Sequence, residues 1–215
     1  MNVAGVIFDL DGTLVDSIGG ITAALNEALA LEGAAPVTAA AVRSYVGDGP
    51  RHLCGRALGE PDPDPARIDR LVARFLSCYA AAPVRASAPF PGVPEVLDAL
   101  APRPLAVCTN KGRRVAVLVL AAFGIDRRLR TLVAEDDLPF RKPDPRPLLA
   151  AAERLGTSPA TTLVVGDGTQ DVLAAHAAGM PCCALLQGYT DPERLRETKP
   201  EFLLERIALL PDALR

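Results

Sequence analysis

Six short apolar runs recur along this chain, at residues 3–8, 105–108, 131–133, 162–165, 182–186 and, more weakly, 202–204. Each has the length and bulk of a β-strand buried on both faces. Between them lie stretches of helical periodicity at 93–100, 113–123, 147–155 and 170–178. Strands that alternate with helices imply βαβ units and therefore an α/β fold with a mainly parallel sheet. In such a sheet ligands bind at the carboxyl ends of the strands, so the loops that follow the apolar runs are the first place to look for chemistry. Residues 17–87 break the alternation. They show helical periodicity at 21–31, 39–46, 53–58 and 68–82 with no strand-like run between, which predicts a helical insert after the first strand. Proline-rich joints punctuate it, Pro61-Asp62-Pro63-Asp64-Pro65 inside and Pro89-Phe90-Pro91-Gly92 at its end.

A length of 215 residues is long for one compact domain and short for two, which suits a single core carrying an insert. Nearly half of the residues are apolar and few are aromatic, so packing falls to Ala, Leu and Val. The net charge of −3 and the lack of any basic run exclude the electrostatic footprint of a nucleic-acid binder. Residues 3–8 have no basic leader or cleavage site, and no apolar run reaches membrane-spanning length; the expectation is a cytoplasmic protein with no membrane partner. Five cysteines without CxxC spacing suit neither a disulfide framework nor a zinc site and read as small apolar residues. Of 23 basic residues only Lys111, Lys142 and Lys199 are lysine, which marks those positions as ones that ask for an ammonium rather than a guanidinium.

Directly after the first strand stands Asp9-Leu10-Asp11-Gly12-Thr13, two carboxylates two residues apart and then a glycine that lets the chain turn. In extended chain both acids point the same way. They suit a nucleophile, Asp9, and a general acid and base, Asp11; taken alone, they also suit a solvated Asp-Gly turn. Asp167, in Gly166-Asp167-Gly168-Thr169-Gln170-Asp171 after the strand at 162–165, is placed as a hard oxygen ligand for Mg²⁺. Asp171, one helical turn on, orients Asp167 or Lys142, and both acids also suit a helix N-terminus. Thr109-Asn110-Lys111 closes the strand at 105–108 and offers a hydroxyl, an amide and backbone N–H groups as an anion cradle; it equally suits an ordinary helix entry. Lys142 supplies a point charge to neutralise the nucleophile and a transferring phosphoryl group.

These motifs, Asp9 through Ser17, Thr109-Asn110-Lys111, Lys142-Pro143-Asp144-Pro145 and Gly166-Asp167 with Asp171, resemble the four ordered motifs of the haloacid dehalogenase superfamily. The resemblance spans essentially the whole chain. It implies a Rossmann-like, doubly wound parallel core at 1–16 and 88–215, with an all-helical cap at 17–87. It further implies Mg²⁺ held by Asp9, the backbone carbonyl of Asp11, and Asp167, with phosphate gripped by Thr109 and Lys142. An acid two residues after the nucleophile is the pattern of the phosphatases and phosphomutases; the dehalogenases lack it. Within the superfamily the chain is similar to the bacterial phosphoglycolate phosphatases. The similarity rests on Tyr45-Val46-Gly47-Asp48-Gly49, Arg56-Ala57-Leu58, Phe90-Pro91-Gly92-Val93, the Lys of Thr109-Asn110-Lys111, Pro147-Leu148-Leu149 and Gly188-Tyr189. One departure is Gly168, where the family usually has Ser and its hydroxyl near the metal.

The resemblance implies Mg²⁺-dependent hydrolysis of a small phosphate ester, 2-phosphoglycolate in the first place, through an aspartyl-phosphate on Asp9, by a monomer or homodimer. Arg56 is the cap residue suited to pair bidentately with a substrate carboxylate, and it equally suits a solvent-facing helix position; Arg51 and His52 read as ordinary surface residues. A phosphomutase, or a phosphatase for a sugar phosphate, nucleotide or pyrophosphate, would use the same core. A phospho-accepting signalling domain shares the acids, Thr and Lys but is nearer ~120 residues, and the helical insert argues against it. A non-catalytic binding domain is disfavoured because every catalytic position is filled.

Overall fold

The computed structural model describes residues 2–215. In chain order the elements are β1 (Gly5–Phe8), β2 (Val15–Asp16), α1 (Ile18–Leu31), α2 (Ala39–Arg43), α3 (Pro50–Leu58), α4 (Pro65–Ala81), β3 (Ala88–Pro89), α5 (Val93–Leu100), β4 (Leu105–Cys108), α6 (Arg113–Ala122), β5 (Thr131–Val133), α7 (Arg146–Leu155), β6 (Thr162–Gly166), α8 (Thr169–Ala177), β7 (Cys182–Leu185), α9 (Pro192–Glu197), β8 (Phe202–Leu204) and α10 (Leu210–Ala213). Six strands form one parallel sheet in the order β5-β4-β1-β6-β7-β8. All six predicted strands are present, and the α/β class follows.

Register explains why the motifs meet. Phe8 pairs with Val107 of β4 and Val165 of β6, so the three strands run out within a residue or two of one another. Asp9, Thr109 and Asp167 therefore leave the sheet at the same end. β1 is buried along its whole length because helices cover both faces of the sheet. Val6, Phe8, Val107, Val165 and Leu185 face one layer, with α5 and α6. Ile7, Ala106, Cys108, Val164 and Cys182 face the other, where Ala151 and Ala152 of α7 and Ala174 and Ala175 of α8 pack. Full burial of one Ile, Val or Phe side chain contributes roughly 1.5–3 kcal/mol, which makes the central strand the firmest support for the loops above it.

Four helices, α1 to α4, lie between β2 and β3 with no strand among them. Asp64 caps α4 by accepting from Ala66 N, Pro65 presets its first turn, and Leu71, Phe75 and Tyr79 form its buried stripe. β2 and β3, which the sequence pattern does not predict, form a two-residue antiparallel ladder with Val15 opposite Pro89 and Asp16 opposite Ala88, where the chain leaves the sheet region and returns. α1 begins hard against the returning chain. A Cβ at Gly19 would lie 2.4 Å from Ala86 O, and one at Gly20 would lie 2.5 Å from Arg85 O. The periodicity at 39–46 overruns the helix, which stops at Arg43 before a turn in which Gly47 and Gly49 take positive φ. All five cysteines are free, and among the described residues no helix is long and apolar enough to cross a membrane.

Candidate active site

Asp9 leaves β1 with its backbone N–H bonded to Val165 O at 2.9 Å, and its carboxylate turns into a cluster of buried charge. Lys142 Nζ lies 3.0 Å from Asp9 Oδ1, donates to Asp171 Oδ1 at 2.6 Å and donates to the Cys108 carbonyl at 2.7 Å. Burial works against that ammonium, yet Asp171 and Asp9 outweigh it and hold its pKa above the ordinary lysine range. Asp171 spends its other oxygen on Gly168 N at 2.9 Å, so it orients Lys142 and the entry to α8 at once. Asp167 accepts from Thr13 Oγ1 and from Tyr189 N, each at 2.8 Å. Gly12, at φ +84, and Gly188 leave the space for it; a Cβ on either would lie 2.2 and 2.1 Å from Asp167 atoms.

Asp9, Asp167 and Asp171 each bring a carboxylate oxygen within 4.8 Å of the others, and the one ammonium among them pairs with Asp9 and Asp171. Burial raises Asp9 to about 6 despite Lys142, with Asp171 and Asp11 adding to the rise. Burial, then Asp9 and Asp171, raise Asp167 to about 8. Asp9 Oδ1, beside Lys142 but at no hydrogen-bonding angle to it, has no hydrogen-bond donor. Hard oxygen donors, surplus negative charge and a carboxylate oxygen left without a donor fit a divalent cation such as Mg²⁺.

Asp11 takes a different course. The strand ends at Phe8 and residues 10–14 form a turn, so the two acids do not continue along one extended face as sequence spacing predicts. Asp11 Oδ1 accepts from Ser17 Oγ at 2.5 Å, and its two oxygens accept from Lys111 Nζ at 2.9 and 3.0 Å. Lys111 also donates to Tyr79 Oη at 2.9 Å, and Nζ lies 4.3 Å from the centre of that ring. Burial opposes the Lys111 ammonium, but Asp11 and Tyr79 more than offset it and its pKa rises. Tyr189, whose N–H holds Asp167, accepts at Oη from Ser17 N at 2.8 Å and donates to Asp16 at 3.0 Å. Asp9 and Asp11 line one cleft together with Thr109, Lys111, Lys142 and Gln170.

A family model described as haloacid dehalogenase-like hydrolase matches residues 6–185. The chain belongs to that family. A phosphoglycolate phosphatase of Agrobacterium fabrum is 40% identical over 212 residues, which is 97% of this chain and 91% of the relative. One of Rhodospirillum rubrum is 42% identical over 193 residues, 86% of this chain and 80% of the relative. The crystal structure of a predicted phosphoglycolate phosphatase from Haemophilus somnus superposes with a TM-score of 0.92 at 29% identity, covering 100% of this chain and 99% of the other.

For a haloacid dehalogenase-like hydrolase, two of the sequence-derived positions sit differently from expectation. Arg56 does not line the cleft; its guanidinium donates to Ser44 O at 3.1 Å and pairs with Asp48 at 3.2 Å, about half exposed. Asn110 lines the cleft but uses its amide on backbone: Nδ2 donates to Gly47 O and Lys142 O, both at 2.9 Å, and Oδ1 accepts from Lys142 N at 3.0 Å. It ties the Lys142 loop to the four-helix segment. Arg51 pairs with Asp69 and His52 meets Arg141, as surface residues do. At Gly168 a Cβ would lie 2.0 Å from Gln170 Nε2, so the Gln170 side chain fills the space of the usual serine. Tyr79, Gln170 and Arg43 are site residues that sequence reasoning missed. Arg43 donates to Gly188 O at 2.8 Å and stacks over Tyr189. Tyr79 had a signal, being the one stripe residue of α4 with a polar tip in a chain that has three tyrosines.

Proposed function

We propose that this protein is a Mg²⁺-dependent phosphomonoester hydrolase that acts on a small phosphorylated metabolite, 2-phosphoglycolate in the first place, through an aspartyl-phosphate on Asp9. The observation that carries the reading is the Asp9 carboxylate, buried at the cleft floor with one oxygen free of hydrogen bonds, Lys142 at 3.0 Å and Asp11 lining the same cleft. The names of the relatives support the substrate. Residues 17–87 act as a cap over a core made of 1–16 and 88–215; its closure excludes water while the ester reacts.

Asp9 attacks phosphorus in line as the bond to the leaving oxygen breaks, and Asp11 gives that oxygen its proton. Asp11 then takes a proton from water, whose oxygen attacks phosphorus and releases the Asp9 carboxylate with inorganic phosphate. Lys142 draws charge from the phosphoryl oxygens, Thr109 and the backbone N–H groups before α6 grip them, and Asp171 keeps Lys142 aimed. Asp9, the carbonyl of Asp11, and Asp167 would hold Mg²⁺, which would supply further charge neutralisation. Phosphate release should be measured across small phosphorylated acids, sugars and nucleotides, with and without Mg²⁺. Turnover of 2-phosphoglycolate above the others is the expected result, and no turnover of any ester overturns the reading.

A further inference from the structure

We propose that Lys111, held in place by Tyr79, pairs with the substrate's carboxylate and selects esters whose carboxylate and phosphorylated oxygen share one carbon atom. The inference rests on the phosphatase reading of the same site and passes to Lys111 the part that sequence reasoning gave to Arg56.

The cleft has two contrasting halves. At its floor are Asp9, Asp11 and Lys142; above them the wall is apolar, built from Ile21 of α1, Leu53 of α3, Phe75 and Leu76 of α4 and Val115 of α6. Along that stretch the hydroxyls of a sugar or the edge of a nucleobase find nothing to bond; the uncharged polar side chains of the lining are Thr109, Asn110, Tyr79 and Gln170. Among the described residues no arginine lines the cleft, Arg43 being spent on Gly188 O and the Tyr189 ring, and the cleft's two cations are Lys142, engaged with Asp9 and Asp171, and Lys111. A substrate anion beyond the phosphate therefore has one cation to meet.

The position of Lys111 fixes where that anion must be. Nζ lies 2.9 and 3.0 Å from the two oxygens of Asp11, the group proposed to protonate the leaving oxygen. A carboxylate one carbon away from that oxygen falls beside Nζ; each further carbon displaces it by about 1.5 Å, half the length of a hydrogen bond. An ammonium has three N–H groups, and here two go to Asp11 and one to Tyr79. One of the pair on Asp11 can pass to a ligand while the other still holds Asp11. Tyr79 keeps the ammonium in the cleft through its hydroxyl and its ring face, so the arriving carboxylate finds the charge already positioned.

The test compares 2-phosphoglycolate with ethyl phosphate, which has the same two carbons and no carboxylate, and with 3-phosphoglycerate, whose carboxylate is one carbon further away. In the wild type kcat/KM should be roughly ten- to hundredfold higher for 2-phosphoglycolate than for either, the rate equivalent of one charge-assisted hydrogen bond. Lys111→Met should erase that preference, with the loss on 2-phosphoglycolate exceeding the loss on ethyl phosphate by the same factor. Tyr79→Phe, which keeps the ring and its packing, should lower the preference several-fold with the change mainly in KM. Equal losses on both esters would make Lys111 a positioning residue for Asp11 and overturn the proposal. Should Lys111→Met not fold, a wild-type preference below threefold overturns it equally. A wild type that hydrolyses ethyl phosphate and 2-phosphoglycolate alike leaves the phosphatase reading standing; one that hydrolyses no ester removes both.

Discussion

Around Asp9 three buried carboxylates cluster and the ammonium of Lys142 reaches two of them, Asp9 and Asp171, whereas around Asp11 one carboxylate faces the ammonium of Lys111 with two hydroxyl groups in support. The two acids are two residues apart in sequence, and their surroundings differ in charge balance and in origin. The Asp9 cluster comes from the ends of sheet strands, the loop that carries Lys142 and the first turn of α8, and it crowds together carboxylates whose charge burial makes costly. The Asp11 cluster is balanced and borrows Tyr79 from α4. One half of the site crowds carboxylates around an ammonium, and the other joins Asp11 through Lys111 and Tyr79 to the four-helix segment.

Asp9→Asn breaks the contrast most completely. Turnover should fall by at least about a thousandfold, since an amide cannot form the acyl phosphate. The melting temperature should not fall, because the change removes one of the crowded carboxylates; phosphate release and thermal unfolding together check this, and a variant keeping a tenth of wild-type activity would falsify the nucleophile. Lys142→Met leaves the same carboxylates without their ammonium and should cost roughly 3–5 kcal/mol of stability without metal, read from denaturant unfolding. Lys142→Arg should keep the fold yet lose most of kcat, as a planar fork does not replace a compact ammonium between Asp9, Asp171 and Cys108 O.

Mg²⁺ sharpens the comparison without reference to activity. At a hundred times its Kd it should add about 2.7 kcal/mol, a melting shift of roughly 5–11 °C for a chain of this size. Asp167→Asn should abolish the shift, and Lys111→Met should retain it; a shift lost in both would mean the two clusters act as one. Gly188→Ala places a Cβ 2.1 Å from Asp167 Cβ and should weaken Mg²⁺ about ten- to hundredfold by titration, since Asp167 must move. The smallest effect belongs to Arg56→Ala. Its exposed pair with Asp48 contributes at most ~1 kcal/mol, and kcat/KM for 2-phosphoglycolate should stay within about fivefold. A loss of two decades would return the carboxylate to Arg56.

The sheet was legible because each strand carries its own signal: a short run buried on both faces is apolar throughout, and register follows once β1 lies between β4 and β6. The ladder of β2 and β3 was not, since two residues per strand hold no period and Pro89 reads as a joint. Helix 39–46 was overlong in the sequence reading because apolar spacing persists through Tyr45 and Val46 while the glycines at 47 and 49 turn the chain. Asp9, Asp11, Thr109, Lys111, Lys142, Asp167 and Asp171 all converge at one end of the sheet, as their places after strands predict. The direction that spacing gave for Asp11 failed because the strand ends at Phe8 and the chain turns through residues 10–14.

By itself the sequence determined which side chains stand at the ends of the strands and hence which chemistry is within reach, because strand burial and side-chain alternation are local properties of the chain. The pairing of charges was decided only in three dimensions. Whether Lys142 meets Asp171, or Lys111 meets Asp11 and Tyr79, depends on loops and helices distant in sequence arriving within about 3 Å of one another. Coulomb energy and hydrogen bonding fall off over such distances, and periodicity carries no information about them.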